Sequence, residues 1–219
     1  MVKGLVREHI VSFEWHAGFA ISQTQKSIRS LHENASAKGI KPVLEISSKS
    51  LEKIGVQLSA FNLRLNYGGY NFTVESAYQG SKVFEGGGPF TDIYALPSRE
   101  AKRDERLKNH GNLQCFDFFG TRWGLQPTTA FYDWLYIQAL LQNVHLSKPM
   151  LSYHAFSDIA FNPEKSFSCQ ARTAALYVTL EQIGEMSRVK QSPIEFKEIY
   201  SLIGSELIKS DNYEQGLLF

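Results

Sequence analysis

The sequence predicts an α+β fold, predominantly helical, with a small β-sheet, and three observations lead there. Helix-like segments dominate the chain, at residues 19–36, 74–84, 97–109, 130–143, 168–189 and 193–208. Strand-like runs, marked by period-two alternation or aromatic density, are few and short, at 4–15, 43–46 and 113–119. No repeat, low-complexity tract or linker interrupts the 219 residues, so residues 1–219 read as a single domain large enough for one well-formed core.

Each element has its local reason. Residues 4–15 mix apolar and polar side chains near period two and read as a strand. His16-Ala-Gly18 is a turn, followed by a helix over 19–36 with Phe19, Ile28 and Leu31 as apolar points. Pro42 opens a short strand, Val43–Ile46. Within 51–67, Gly55 breaks a short helical piece and Val56–Leu65 reads as extended. Tyr67-Gly-Gly-Tyr70 is a turn leading into a helix over 74–84, which stops at Gly86-Gly-Gly-Pro89. Pro97-Ser98 introduces a strongly charged helix that reaches Asn109 and is stopped by Gly111. Leu113–Phe119 is strand-like and ends at the turn around Gly120. Thr128 or Thr129 caps an apolar helix, Ala130–Asn143. Pro149 and Pro163 bracket an irregular segment, Leu151–Asn162, before the helices at 168–189 and 193–208.

Composition narrows the function classes. Hydrophobic residues make up 43% and charged residues 21%, ordinary for a globular chain. The net charge of +1 supplies no global basic field, so any nucleic-acid contact must come from a local patch. The two cysteines, Cys115 and Cys169, form no CxxC pair, which points to a reducing cytoplasmic setting and away from a disulfide scaffold. Six scattered histidines include no HExxH, so no metal site and no cofactor is expected. Neither a secretion signal nor an 18-residue apolar run is present, so no membrane partner is expected. In that setting the sequons at Asn34 and Asn71 are chance matches.

Five groups of residues carry candidate chemistry. On the 74–84 helix, Val74, Ala77, Ser81 and Phe84 form a packing side, while Glu75, Tyr78, Gln79 and Lys82 share the other. Glu75 and Lys82 lie about 10 Å apart along the axis, too far for an i,i+4 pair. Either a ligand lies between them or the flank is simply solvated. The run Gly86-Gly-Gly88 either presents backbone N–H groups to phosphate or only stops the helix; it lacks both GxxxxGK[ST] and GxGxxG. Arg99, Lys102, Arg103 and Arg106 form a basic stripe, read either as a diphosphate or nucleic-acid backbone site or as a solvated face neutralised by Glu100–Arg103 and Asp104–Lys108 pairs. Phe131-Tyr-Asp-Trp-Leu-Tyr136 is core or, through Trp134, a stacking platform, and Asp133 within it needs solvent or a partner. Asp158, Asn162, Lys165, Gln170 and Arg172 form either a binding rim or turn and cap chemistry.

The order Leu58-Ser-Ala-Phe61, Val74-Glu-Ser-Ala-Tyr-Gln-Gly-Ser-Lys82, Glu100-Ala-Lys-Arg103, Trp134 and Asp158 resembles the NADAR family, associated with NAD and ADP-ribose chemistry, most strongly over residues 56–180. Glu14-Trp-His-Ala-Gly-Phe-Ala20, Lys82-Val-Phe-Glu-Gly-Gly-Gly-Pro89, Phe131–Tyr136 and Phe161-Asn-Pro-Glu-Lys-Ser166 resemble the branch found with DarT-type DNA ADP-ribosyltransferase toxins. The resemblance implies a NADAR (YbiA-like) α+β fold and an antitoxin that removes ADP-ribose from guanine bases of DNA by N-glycosidic cleavage. It implies ADP-ribosylated, single-stranded DNA as substrate, ADP-ribose as product and a DarT-type toxin as functional partner. Carried over, Glu75 and Lys82 are catalytic, and Ser59, Phe61, Asn62, Tyr78, Gln79, Gly87, Arg103, Trp134 and Asp158 bind substrate. Among these, Trp134 stacks a ring, Asp158 holds ribose hydroxyls, and Arg103 and Gly87 face the diphosphate. Two other readings stay open: a small-molecule N-glycosidase of riboflavin-pathway intermediates, and a non-catalytic ADP-ribose reader.

Overall fold

The computed structural model describes residues 6–161, 168–203 and 217–218. In chain order these form β1 (His9–Ile10), α1 (Ile21–Ala37), β2 (Val43–Glu45), α2 (Lys53–Leu58), β3 (Arg64–Tyr67), β4 (Tyr70–Thr73), α3 (Val74–Gly80) and β5 (Lys82–Phe84). A 3-10 turn, Thr91–Ala95, precedes α4 (Ser98–Ala101), α5 (Arg106–Asn109), β6 (Leu113–Phe118), β7 (Thr121–Trp123) and α6 (Ala130–Gln142). Then come α7 (Val144–Met150), β8 (Ala155–Ser157), α8 (Gln170–Gln182), α9 (Met186–Gln191), α10 (Pro193–Ile203) and β9 (Leu217–Leu218). The class is α+β with helix predominant. The expected small sheet is divided into three: β1-β9-β8-β2, the β3-β4 hairpin, and β5-β6-β7.

Where the structure departs from the sequence reading, a non-local contact is usually the reason. Over 4–15, among the described residues 6–15, only His9–Ile10 is a strand, paired with Leu217–Leu218. The rest of that segment is tied to side chains of α1: Glu14 N–H donates to Ser30 Oγ, His16 N–H to Ser27 Oγ, and Asn34 Nδ2 to Ser12 O. Gly55 does not break α2. The helix passes through it, and glycine is needed there for close approach, since a Cβ would lie 2.0 Å from the Glu45 carbonyl oxygen; the chain is extended only from Arg64. The charged helix over 97–109 is two short helices, α4 and α5. Asp104 Oδ1 accepts the Arg106 backbone N–H at 3.0 Å, a local alternative to helical pairing. The segment 168–189 divides at Gly184 (φ 78°) into α8 and α9. The segment read as irregular contains β8, which runs parallel to β2 with Glu45 opposite Ser157, and α7 precedes it with Pro149 inside its last turn. Asn162, Pro163 and Lys165, together with the end of the last helix over 204–208, lie outside the described residues.

The 74–84 helix also ends early, at Gly80. Lys82-Val-Phe84 leaves it to pair with β6, Lys82 opposite Phe116 and Val83 opposite Cys115. The glycine run is therefore no helix stop. It folds back on β5, with Phe84 N–H donating to Gly87 O at 2.7 Å and Gly87 N–H to Phe84 O at 3.3 Å. Gly88 is required there: its φ is 107°, and a Cβ would lie 2.4 Å from Lys82 O.

Contacts divide the chain into two compact units, residues 1–59 with 145–219, and residues 60–144. In the first, Val11, Leu31, Ala35, Val43 and Ala155 form a core between α1 and the β2-β8 pair, with Phe13, Ile40 and Ile159 packed against it. The second is built on aromatic rings. Phe72, Phe118, Trp123, Phe131 and Trp134 are all buried, and Phe131 lies 4.9 Å from Phe116 and 5.5 Å from Trp123 between ring centroids. Helix α6 is buried on almost every side. Asp133 within it, 1% exposed, accepts a hydrogen bond from Thr129 Oγ1 at 2.7 Å, so that hydroxyl serves the carboxylate rather than the helix end. Gly55→Ala tests the close packing of α2 on β2. The added methyl should cost at least about 2 kcal/mol, a fall of roughly 4–8 °C in Tm for a chain of this size. An unchanged melting curve would show that the helix and strand do not approach so closely.

Candidate active site

The site grows from the first turn of α3. Thr73 closes that turn, its Oγ1 accepting the Ser76 N–H at 3.1 Å. The same oxygen lies 2.7 Å from Ser98 Oγ, which donates to Phe61 O at 2.8 Å, and Ser76 Oγ donates to Leu96 O. Val74 N–H reaches Leu63 O at 2.9 Å and Glu75 N–H reaches Ala60 O at 3.0 Å. The backbone of Glu75 is thus fastened to the 60–63 loop and, through hydroxyls, to the start of α4. An acidic residue in the first helical turn also meets the positive end of the helix dipole.

The flank of α3 is not solvated. Glu75 and Gln79 are each 6% exposed, and Gln79 Nε2 donates to Glu75 Oε1 at 2.9 Å. A carboxylate removed from water needs such partners. Lys82 reaches the same neighbourhood from β5 instead of from the helix, which corrects the expected shared helical face. Its Nζ stands 5.0 Å above the Tyr78 ring centroid. Tyr78 is itself walled by Phe116 at 5.1 Å, Tyr132 at 5.2 Å and Phe131 at 6.1 Å. Burial holds the Lys82 pKa below the ordinary lysine value of 10.5. The Lys102 charge pushes it the same way, while attraction to Glu75 opposes both. Glu75 and Lys82 therefore act on each other, and no ion pair joins them among the described residues.

The remaining candidates are spread more widely. Phe61, half-buried, and Asn62, exposed, lie in the loop that anchors Glu75. Gly87 sits in the turn after β5, facing Phe90 and His110. Arg103 is exposed. The basic stripe does not exist as a stripe: Arg106 is turned to Asp92 (2.6 Å) and Asp104 (2.8 Å), and the expected Glu100–Arg103 and Asp104–Lys108 pairs do not form among the described residues. Trp134 is core, 5.2 Å from Trp123 and 5.8 Å from Phe118, and its buried Nε1 has no hydrogen-bond partner among the described residues. Ser59 and Asp158 belong to the first unit. Ser59 is buried at the end of α2, and Asp158 follows β8, where its Oδ1 accepts the Ala160 N–H.

Two features escaped the sequence reading. Lys102 was visible only as one member of a stripe, whereas its Nζ stands 5.3 Å over the Phe61 ring and within the field of Lys82. In the first unit, buried Glu45 accepts from Ser157 Oγ and from Ile159 N–H, and His32 Nε2 bonds Ser157 Oγ at 2.9 Å. Burial pushes Glu45 up and pushes His32 down to about 4, so both favour their neutral forms. This knot fixes the turn that carries Asp158, and its spacing of more than a hundred residues left no sequence signal. Among the described residues no group of three or more His, Cys, Asp and Glu could hold a metal ion, and no helix is long and apolar enough to cross a membrane.

A family model described as DarT1-associated NADAR antitoxin matches residues 1–206. A comparison with curated proteins finds no match.

The depressed pKa of Lys82 has a sign that can be measured. Between its lowered value and 10.5 the unfolded chain binds the proton and the folded chain does not, so this residue's contribution to stability rises with pH across that window. Lys82→Met should therefore be more stable than the parent at neutral pH, with the difference shrinking as pH climbs toward 10.5. Urea unfolding of both proteins over this range checks it; a difference independent of pH would mean that the amine keeps its ordinary pKa.

Proposed function

The chain belongs to the family of DarT1-associated NADAR antitoxins, and from that premise we propose that it hydrolyses the N-glycosidic bond joining the distal ribose of ADP-ribose to guanine in DNA. Its substrate is then ADP-ribosylated single-stranded DNA in the cytoplasm, its product ADP-ribose, and residues 1–219 work as one NADAR domain opposite a DarT1 toxin. The observation that carries this reading is the buried Glu75 carboxylate, held by an amide and not by a cation, within the field of an amine whose pKa burial lowers.

Cleavage of such a bond places positive charge on the sugar at C1. A carboxylate in a water-poor position stabilises that charge or draws a proton from the attacking water. Glu75 supplies it. Lys82 holds the departing guanine or a phosphate. As a neutral amine it has a further option, attack on C1 of the opened sugar, with guanine leaving protonated and water later releasing ADP-ribose from the imine. Its depressed pKa raises the neutral fraction on which that option depends. Phe61, Asn62, Tyr78, Gln79 and Gly87 complete the substrate contacts within the second unit, and Trp134 stiffens the aromatic core behind them through Trp123 and Phe118.

One observation favours a second reading, a small-molecule N-glycosidase. Arg106 is consumed by Asp92 and Asp104, so the basic surface expected to meet DNA is smaller than the sequence suggested. Charge reversal at Arg99, exposed and given no contact to ADP-ribose, separates the two readings: it should slow release from an ADP-ribosylated oligonucleotide and leave ADP-ribosyl-guanosine untouched. Equal turnover of both would favour the small molecule.

Glu75→Gln, matched to the parent by circular dichroism, should lose at least about 10²-fold in ADP-ribose release from modified single-stranded DNA. Activity within a few-fold of the parent would remove Glu75 from the chemistry. Borohydride added during turnover should leave a sugar adduct on Lys82 if the imine forms, and an unmodified protein mass would leave that residue only its electrostatic role.

A further inference from the structure

Helix α4 is short, and its closing residue is Lys102, whose N–H returns to Ser98 O at 3.0 Å. The Ser98 hydroxyl is the one bonded to Thr73 and to Phe61 O. The backbone beneath Lys102 is thus fastened to the same loop and the same helix start that fix Glu75. Its side chain is exposed yet not loose, since the ammonium rests over Phe61 at 5.3 Å. Lys82 rests in the same manner over Tyr78 at 5.0 Å. Their neighbour Arg106 is neutralised twice over, by Asp92 and Asp104. Lys102 forms no ion pair among the described residues, and the charges acting on Lys82 are Glu75 and Lys102.

Lys102 is thus an ammonium fixed over a ring beside the loop that anchors Glu75, with no ion pair of its own among the described residues. An anion seated against that ammonium gains charge-assisted hydrogen bonds. We propose that Lys102, poised over Phe61 beside the loop that anchors Glu75, is the main ligand of an anion subsite that takes a phosphate of the ADP-ribose diphosphate. This rests on the ADP-ribose reading of the site and deepens it. The role expected of Arg103 passes to its neighbour, because the turn after Ala101 brings Lys102, and not Arg103, over the ring.

A phosphate has two sources in such a substrate, the diphosphate and the DNA backbone, and calorimetry with separate probes distinguishes them. The parent, Lys102→Ala and Lys102→Arg are titrated with ADP-ribose, with adenosine and with an unmodified single-stranded oligonucleotide. Lys102→Ala should weaken ADP-ribose binding at least about 10-fold and leave adenosine unchanged, while Lys102→Arg stays within a few-fold of the parent. Undiminished ADP-ribose affinity in Lys102→Ala would overturn the subsite. So would a loss confined to the oligonucleotide, which would assign Lys102 to the DNA backbone. Binding is read without turnover, so the subsite can fail while hydrolysis stands, and absent hydrolysis would not rescue or sink it. Lys102 is exposed, which keeps its substitution clear of the core.

Discussion

Thr73 Oγ1 stands at the meeting point of three segments, and the geometry of the candidate site follows from it. It caps the first turn of α3, contacts Ser76 Oγ at 2.8 Å, and meets Ser98 Oγ, which reaches on to Phe61 O. These hydroxyls are buried, so each bond withheld would leave a polar group without water to replace it. The knot therefore fixes where α3 begins. Glu75 is two residues inside that start, with its N–H on Ala60 O, so the direction of its side chain is set before any ligand arrives. Lys102 is set from the other end, through the Ser98 carbonyl.

The second constraint is that α3 must stop. A Cβ at Gly80 would lie 2.6 Å from the Tyr94 ring, so the helix passes close to that ring at its last residue. Ser81 then bonds Ala77 O and Tyr94 OH, and its own carbonyl accepts the Asp117 N–H. That last bond turns the chain onto β6. Had the helix run on to Phe84, Lys82 would stand almost two turns from Glu75, about 10 Å along the axis. Strand geometry instead lays it across Tyr78, within the field of the carboxylate. The helix-to-strand change at Ser81 is what takes Lys82 off the helix and sets its ammonium over the Tyr78 ring.

Much of the framework was legible in the sequence, since α1, β2, β6 and α6 rest on local pattern, and so does the pairing of small residues against polar ones on α3. The identities of Glu75, Tyr78, Gln79 and Lys82 came from that pattern. What was hidden depended on partners far along the chain. Residues Lys82-Val-Phe84 have helical neighbours and become a strand only because Phe116 and Cys115 lie opposite. Gly55 looks like a breaker, and its real reason is the carbonyl of Glu45. Asp104 looks like a helix-surface acid, yet it accepts the Arg106 N–H and dissolves the basic stripe. The Glu45–Ser157–His32 knot joins residues from three distant stretches.

The choice of partners around Glu75 carries a chemical consequence. A lysine or arginine at hydrogen-bond distance would satisfy the buried carboxylate more strongly than an amide does, because both partners would be charged. It would also cancel the charge that a developing cation at C1 needs. Gln79 holds Oε1 in place and leaves the charge uncompensated by any ion pair. The cations are kept one step away, on rings: Tyr78 under Lys82 and Phe61 under Lys102. An aromatic face offsets part of the cost of removing an ammonium from water without neutralising it. Positive and negative groups thus coexist in one small region without collapsing into a salt bridge, which is the condition for each to act on a substrate instead of on the other.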